Sequence, residues 1–512
     1  MKFAKKKLNL HRDWIDSRAV DIIRKLQEDQ HTAYLVGGCI RDLLLEIQPK
    51  DFDIATTAEP TQVKRCVPKA YIIGKRFRLV LAKRGEDLFE IATFRKNINK
   101  GHVRPHTMGE VKSLTDEDEL NPTADQKINP EMLSGGDNTD SPLVQSNKPS
   151  ASPLQQISPP ASSITTENTE ENFDEEMTFD DEALVDQENT EETNAFKQIG
   201  DEVDWGDNEY GTPEEDAQRR DFTINGLFYD PVSENLIDFT NGLRDLRLRI
   251  VRMIGEPVER LVEDPIRILR AIRLSHKVGF TIEPGLRKAM FETAHTLPLS
   301  ALPRRREEFL KLLRLDRPCL AFLESFDLNV IEHTCPTLFE ELQDREKQDR
   351  FFHILSQMPN FEIDKDNNIE LFSVLALAFF RITVDANPKE FVKDYKDHHK
   401  LRLFMRHELG MFNYEQEVFL RALQLYPSFY RIEEMNRKGD RKQLAMAKNE
   451  AFPLALKLAR GEGALSDSQW SFWAELYETQ LPKLLESDTI QSQQVRKKIR
   501  SKKRPRPYKK AP

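Results

Sequence analysis

The sequence predicts an α+β protein: a mixed sheet-and-helix domain near the N-terminus, then an all-α remainder. Three observations carry this. Short apolar runs alternate with helical stretches up to about residue 105, the pattern of a mixed α/β unit. Between residues 105 and 206, Pro, Ser, Asn, Thr, Asp and Glu dominate. From Asp245 onward, apolar residues recur at helical spacing almost throughout.

In chain order, residues 19–27 have helical periodicity and are expected to pack on the first domain. Residues 32–57 read as strand (33–36), glycine turn, short helix and a second strand. Residues 70–81 and 87–94 read as strands joined by the turn Lys83-Arg84-Gly85-Glu86, and a hairpin-like stretch follows Tyr229-Asp230 and ends at 236–240, for a five-stranded sheet. Helices are expected over 266–278, 307–315, 371–380, 401–425 and 468–485. The resulting division is an N-terminal helix (1–30), a head (31–240) interrupted by an insertion (105–206), a helical neck (241–315), a helical body (316–488) and a basic tail (489–512).

Length allows roughly three to four domains. Residues 110–204 hold 25 Asp/Glu against 4 Lys/Arg, net −21, which leaves +11 on the rest of a chain whose net charge is −10. A basic body suits a polyanionic partner. The insertion lacks the apolar content to offset its chain entropy and reads as disordered. Phe173, Met177, Phe179 and Leu184 dot it, so a solvated linker, a short protein-partner motif and an acidic mimic of RNA all stay open. Four separated cysteines with no C-x-x-C argue for a reducing cytoplasm and against a zinc site. The lysine-rich start is followed by no apolar stretch of signal-peptide length, and no run is long enough to span a bilayer.

The chemistry concentrates in a few segments. Gly37 and Gly38 follow a predicted strand and let backbone approach phosphate closely; Arg41 offers parallel hydrogen bonds to a phosphate, and Asp42 either joins the site or orients Arg41. About ten residues on come Asp51 and Asp53, which a strand would place on one face. Two carboxylates beside a glycine turn suit two Mg²⁺ ions and a triphosphate: a metal pair activates an attacking hydroxyl and stabilises leaving pyrophosphate. Glu90 reads either as a third acid of that cluster or as an exposed charge on an edge strand. Arg219, Arg220 and Asp221 suit a place where triphosphate, metal and ribose meet; the alternative is a capped surface helix with internal salt bridges. Asp264 and Pro265 fit the N-cap and first position of a helix, placing Asp264 and Arg267 on one face, where they read a base edge or form a surface ion pair. Arg304, Arg305 and Arg306 either grip RNA phosphates or tie helices together. The terminal basic tail would add salt-dependent, sequence-blind affinity for RNA.

Four ordered segments resemble the class II family of bacterial poly(A) polymerases and CCA-adding tRNA nucleotidyltransferases: Leu35-Val36-Gly37-Gly38 with Arg41-Asp42, Asp51-Phe52-Asp53, Arg219 through Asn225, and Glu263-Asp264-Pro265-Ile266-Arg267 continuing to Arg270. The resemblance covers residues 20–105 and 205–315 and implies a polymerase-β-like head on a helical neck and body. It implies catalysis by Asp51, Asp53 and Asp221, Mg²⁺ on Asp51 and Asp53, triphosphate on Gly37, Gly38 and Arg41, and the adenine base on Asp264 and Arg267. We group Arg219, Arg220 and Arg270 with the nucleotide-binding set. Residues 72–80 look like the poly(A) polymerase signature, since CCA enzymes usually carry Gly-Thr where this chain has Arg78-Leu79. The resemblance therefore implies template-independent polyadenylation of RNA 3′ ends from ATP, in RNA processing and decay in the cytoplasm. CCA addition is the alternative, and a non-catalytic RNA-binding adaptor is the other.

Overall fold

The structure is a computed structural model that describes residues 2–3, 10–74, 78–96, 209–384, 398–438 and 440–482. The acidic insertion and the basic tail lie outside these residues. The described residues within Met1–Asn99 and Gly206–Pro512 group into one compact unit.

The head is built on a mixed sheet of eight strands: β1 (Lys2–Phe3), β2 (Ala33–Val36), β3 (Asp53–Thr56), β4 (Ala70–Ile73), β5 (Leu79–Arg84), β6 (Asp87–Thr93), β7 (Leu227–Asp230) and β8 (Asn235–Asp238). Their order is β1-β8-β7-β2-β3-β6-β5-β4, and β3/β6 is the parallel pair. The five-strand expectation is corrected on three counts, the first being that the hairpin stretch supplies two strands, β7 and β8. Residues 70–81 are two antiparallel strands, because Gly74 takes a φ of 82° that ends β4. The chain start also adds β1 against β8.

Alternation along the central strands sends side chains to two cores. Leu35, Ile54, Ile91 and Tyr229 point to the larger core, under helix Ser17–Glu28. Val36, Ala55, Phe94 and Phe228 form a smaller one on the other face. Helix Ser17–Glu28 buries Ala19, Ile22, Ile23 and Leu26, an i, i+3, i+4, i+7 stripe, and is capped by the Asp16 carboxylate accepting from Arg18 N–H at 2.8 Å.

After β8 the described chain is helical apart from two short strands, Ile250–Val251 and Thr281–Ile282, which pair in parallel. The neck helix Arg267–Val278 buries Ile268, Leu269, Ala271 and Ile272 in the main core. It starts at Arg267, not at Pro265. Asp264 instead ends helix Pro257–Glu263 with φ −146°, and Pro265-Ile266 make a turn in which Arg267 N–H donates to Asp264 C=O. The expected helix 401–425 is also broken: a short helix His399–Leu403 passes into a π-turn Phe404–Glu408, and Gly410 (φ 68°) redirects the chain before helix Asn413–Phe429. Among the described residues no helix is long and apolar enough to cross a membrane.

Candidate active site

Register decides the site. Val36 on β2 lies opposite Asp53 on β3, so the glycine pair that follows Val36 emerges beside Asp53. Gly37 has φ 78° and ψ −132°, a conformation that side-chain-bearing residues rarely adopt, and an added Cβ would come within 3.1 Å of the Arg220 guanidinium. The backbone is thereby kept bare where two arginines converge. Asp51, Phe52 and Asp53 run exposed, buried, exposed; Phe52 anchors in the main core and both carboxylates stay on the opposite side. The strand begins at Asp53, so Asp51 precedes it.

Glu90 sits on β6, between β3 and β5, so it is not on an edge strand. Since Ile54 pairs with Ile91 in parallel, Glu90 is the neighbour of Asp53 across the ladder. By surface area Asp53 is open to solvent, yet it lies deep enough in the cleft for desolvation to act. Burial first and the Glu90 carboxylate second hold its carboxyl above the ordinary range; Arg220 opposes this and Asp51 adds to it. A carboxylate pressed by two neighbouring acids in this way fits a hard divalent cation, and Asp51 with Asp53 are the residues that would hold it.

The cleft has a volume of about 400 Å³. Its floor is Gly37, Gly38, Arg41 and Asp53; its walls are Arg219, Arg220, Asp221 and Asn225 from the head and Asp264, Arg267 and Arg270 from the neck. Five arginines against three aspartates suit an anionic ligand.

Each arginine is fixed by a partner. Arg41 is buried; its Nε and one NH₂ donate to Asp42 Oδ1 at 2.7 and 2.5 Å, and the other NH₂ donates to Asn225 Oδ1 at 2.6 Å. Asp42 thus orients Arg41. Helix Pro213–Arg219 is capped by Thr212 with Glu215 completing a capping box, and the buried Asp216 accepts from Arg219 (2.9 Å) and Arg220 (3.0 Å) at helical spacing. The capped-helix description is correct, and that helix also presents both arginines to the cleft. Arg220 stacks over Phe228 at 5.2 Å.

Asp221 does not stand free as a third acid. Its Oδ2 accepts from Arg270 at 2.5 and 2.9 Å and its Oδ1 from the Asn225 amide at 3.2 Å. Burial pushes its carboxyl up, but the Arg270 guanidinium, the Asn225 amide and the Phe222 N–H together hold it below the ordinary range. Asp264 is held bidentately by Arg304 at 2.9 and 3.0 Å. Arg267 donates to Glu263 and to the Arg260 carbonyl, so Asp264 and Arg267 share the cleft but not a bond. Arg306 reaches Glu415 at 2.7 Å in a buried pair, which makes it a tie between helices.

Sequence reasoning did not single out Asp216, Asn225, Arg260 or Lys277, and it named Arg304 without its partner Asp264. The i, i+3, i+4 spacing to Arg219 and Arg220 pointed to Asp216, and Asn225 lay inside a quoted segment. Arg260, which donates to the carbonyls of Arg219 (2.7 Å) and Arg220 (3.0 Å), lies some 40 residues away and left no local signal.

The family described as the poly A polymerase head domain matches residues 33–123 and 161–252. That leaves 124–160 unmatched, a narrower gap than the compositional insertion. A second, described as a probable RNA and SrmB-binding site of polymerase A, matches residues 279–342. Poly(A) polymerase I of Haemophilus influenzae is 29% identical over 334 residues, 65% of this chain and 54% of the relative. Poly(A) polymerase I of Escherichia coli O6:H1 is 30% identical over 307 residues, 59% and 46%. A CCA-adding enzyme of Lactobacillus delbrueckii subsp. bulgaricus is 25% identical over 323 residues, 63% and 56%. The chain spans about half the length of these curated relatives. With the head match falling on the strands, glycine pair and acids that form the cleft, residues 33–123 and 161–252 belong to the poly A polymerase head-domain family, and the chain is similar to bacterial poly(A) polymerases and CCA-adding enzymes.

Proposed function

We propose that this chain transfers AMP from ATP to the 3′-hydroxyl of RNA without a template, releasing pyrophosphate. The observation that carries the reading is the β2/β3 register, which sets a bare glycine backbone and Arg41 beside Asp53 in a cleft rich in arginine. Mg²⁺ on Asp51 and Asp53 would supply the Lewis acidity that activates the hydroxyl and neutralises the leaving group. The protein's own part is positioning and charge. Gly37 and Gly38 admit the triphosphate. Arg41, Arg219 and Arg220, each oriented by an aspartate, face its oxygens in a fixed array. Asp264 and Arg267 supply an acceptor and a donor fork at the neck end, where the base would lie.

Polyadenylation is favoured over CCA addition by Arg78-Leu79, where CCA enzymes usually carry Gly-Thr, and by the poly(A) polymerase relatives at 29–30% identity against 25% for the CCA-adding one. Residues 75–77 of that signature lie outside the described residues. Incubating the chain with RNA and ATP alone, and with truncated tRNA plus CTP and ATP, tests it. Long A tails are expected; growth that stops after CCA overturns the substrate reading, and no Mg²⁺-dependent pyrophosphate release overturns the enzyme reading in favour of an RNA-binding adaptor.

A further inference from the structure

Among the described residues, one group with mixed metal-ligand chemistry stands outside the cleft: the ligand atoms of Asp29, His31 and Cys66 all lie within 4.8 Å of one another. Helix Ser17–Glu28 ends at Asp29. Gln30 then takes a left-handed φ of 66°, and His31 N–H bonds back to Leu26 C=O, which brings His31 Nε2 to 3.6 Å from Asp29 Oδ2. Helix Pro60–Cys66 ends at the same place, with Cys66 Sγ 2.8 Å from that oxygen. Two helix C-termini therefore meet at one carboxylate, and their carbonyl ends add negative charge to it. The position already attracts a cation: Arg65 donates to Asp29 Oδ2 at 3.1 Å from a side chain that is 70% exposed and free to swing away.

We propose that Asp29, His31 and Cys66 form a zinc site that clips the end of the first helix to the end of helix Pro60–Cys66. Thiolate, imidazole and carboxylate are zinc donors, whereas Mg²⁺ takes oxygen, so this site differs in kind from the cleft. Bonds of about 2.0–2.3 Å in a tetrahedron imply ligand separations of roughly 3.3–3.8 Å. The His31–Asp29 distance of 3.6 Å is already in that range, and the Cys66–Asp29 contact of 2.8 Å is a thiol hydrogen bond that opens when the ion replaces the proton. On binding, the Cys66 S–H bond breaks, its proton leaves to solvent, an S–Zn bond forms and Arg65 releases the carboxylate. Water fills the fourth position. The cysteine spacing gave no hint of this, because the cysteine and its two partners come from segments more than 30 residues apart.

The site lies at the start of β2 and the glycine pair at its end, so about 20 Å of extended chain separates them. Zinc here acts on the fold of the head and not on the chemistry.

The test is a Co²⁺ titration of the untagged, reduced, metal-free full chain. One equivalent is expected to give a thiolate-to-cobalt charge-transfer band that Zn²⁺ displaces and Mg²⁺ does not. Cys66→Ser should abolish the band, His31→Asn should weaken binding at least about tenfold, and Arg65→Ala should tighten it severalfold. Zn²⁺ should raise the Tm of the unaltered chain and leave that of the Cys66→Ser variant where it was. Absence of a thiolate band, its persistence in Cys66→Ser, or equal affinity in His31→Asn would overturn the proposal.

Discussion

Replacing Arg270 with methionine should turn Asp221 from a group that stabilises the fold into one that opposes it. Asp221 is 9% exposed, and its carboxyl stays below the ordinary value of 3.8 because Arg270 and two neutral donors outweigh burial. In the unaltered chain this contribution is fully present above pH 3.8 and is lost as pH falls through the lowered folded-state value. Without the guanidinium, burial dominates and the folded-state value rises above 3.8. The sign then reverses: stability holds at low pH and is lost as pH rises through the raised value. Breaking a buried pair by removing one partner costs about 3–5 kcal/mol. The Arg270 side chain is 41% exposed, so solvent screens the pair, and a loss of about 2–3 kcal/mol at neutral pH is expected. Urea unfolding at several pH values reads this as a drop in midpoint at constant m. Adding Asp221→Asn to Arg270→Met removes the stranded charge and should restore most of the loss. A loss that is the same at every pH, or one that Asp221→Asn does not relieve, would refute the reasoning.

Two further outcomes follow from the cleft and a third from the acidic insertion. Asp53→Ala should abolish AMP incorporation, measured as radiolabel or pyrophosphate release, while RNA affinity by filter binding stays within about twofold because the basic surfaces that supply it are untouched. Arg304→Ala frees Asp264 from a pair in which the arginine is 54% exposed; the expected change in KM for ATP is about two- to fivefold with kcat nearly constant, read by steady-state kinetics against ATP and CTP in parallel. Deleting residues 110–204 removes a net charge of −21, so gel-shift affinity for RNA at low salt should rise and the gain should vanish at high salt; no change would mark the segment as a passive linker.

The fold class and the centre of the site were legible because they rest on local rules. A four-residue apolar strand, two glycines and an alternating D-x-D each follow from one or two residues of context, and their adjacency follows from a single antiparallel pairing. What stayed hidden depends on distant partners or on competing local signals. Asp264-Pro265 has the composition of a helix start, but Pro257 had already opened a helix whose last turn reaches Glu263, so Asp264 is left to end it. Apolar periodicity ran straight through 401–425, and only Gly410 betrayed the break. Glu90 was ambiguous until strand order put β6 inside the sheet. The pairing of Asp221 with Arg270, 49 residues on, and of Asp264 with Arg304, 40 on, has no signature in one sequence.

These distant pairs close a ring. Arg270 and Lys277 lie two turns apart on one face of the neck helix. Arg270 bonds Asp221, Asp221 accepts from Asn225, Asn225 accepts from Arg41, Arg41 donates to Asp42, and Lys277 donates to Asp42 at 3.2 Å. The ring is not what holds the neck helix in the core. Ile268, Leu269 and Ile272 are fully buried, and each such side chain contributes about 1.5–3 kcal/mol, more than a part-exposed ion pair. Apolar burial is non-directional, however, and would tolerate small rotations of the helix. The ring would not, because each member satisfies the next at hydrogen-bond distance. Arg41 in the head therefore takes its orientation partly from the neck, through Arg270 in the cleft wall and Lys277 outside it, which is why the cleft and the head–neck junction have to be built together.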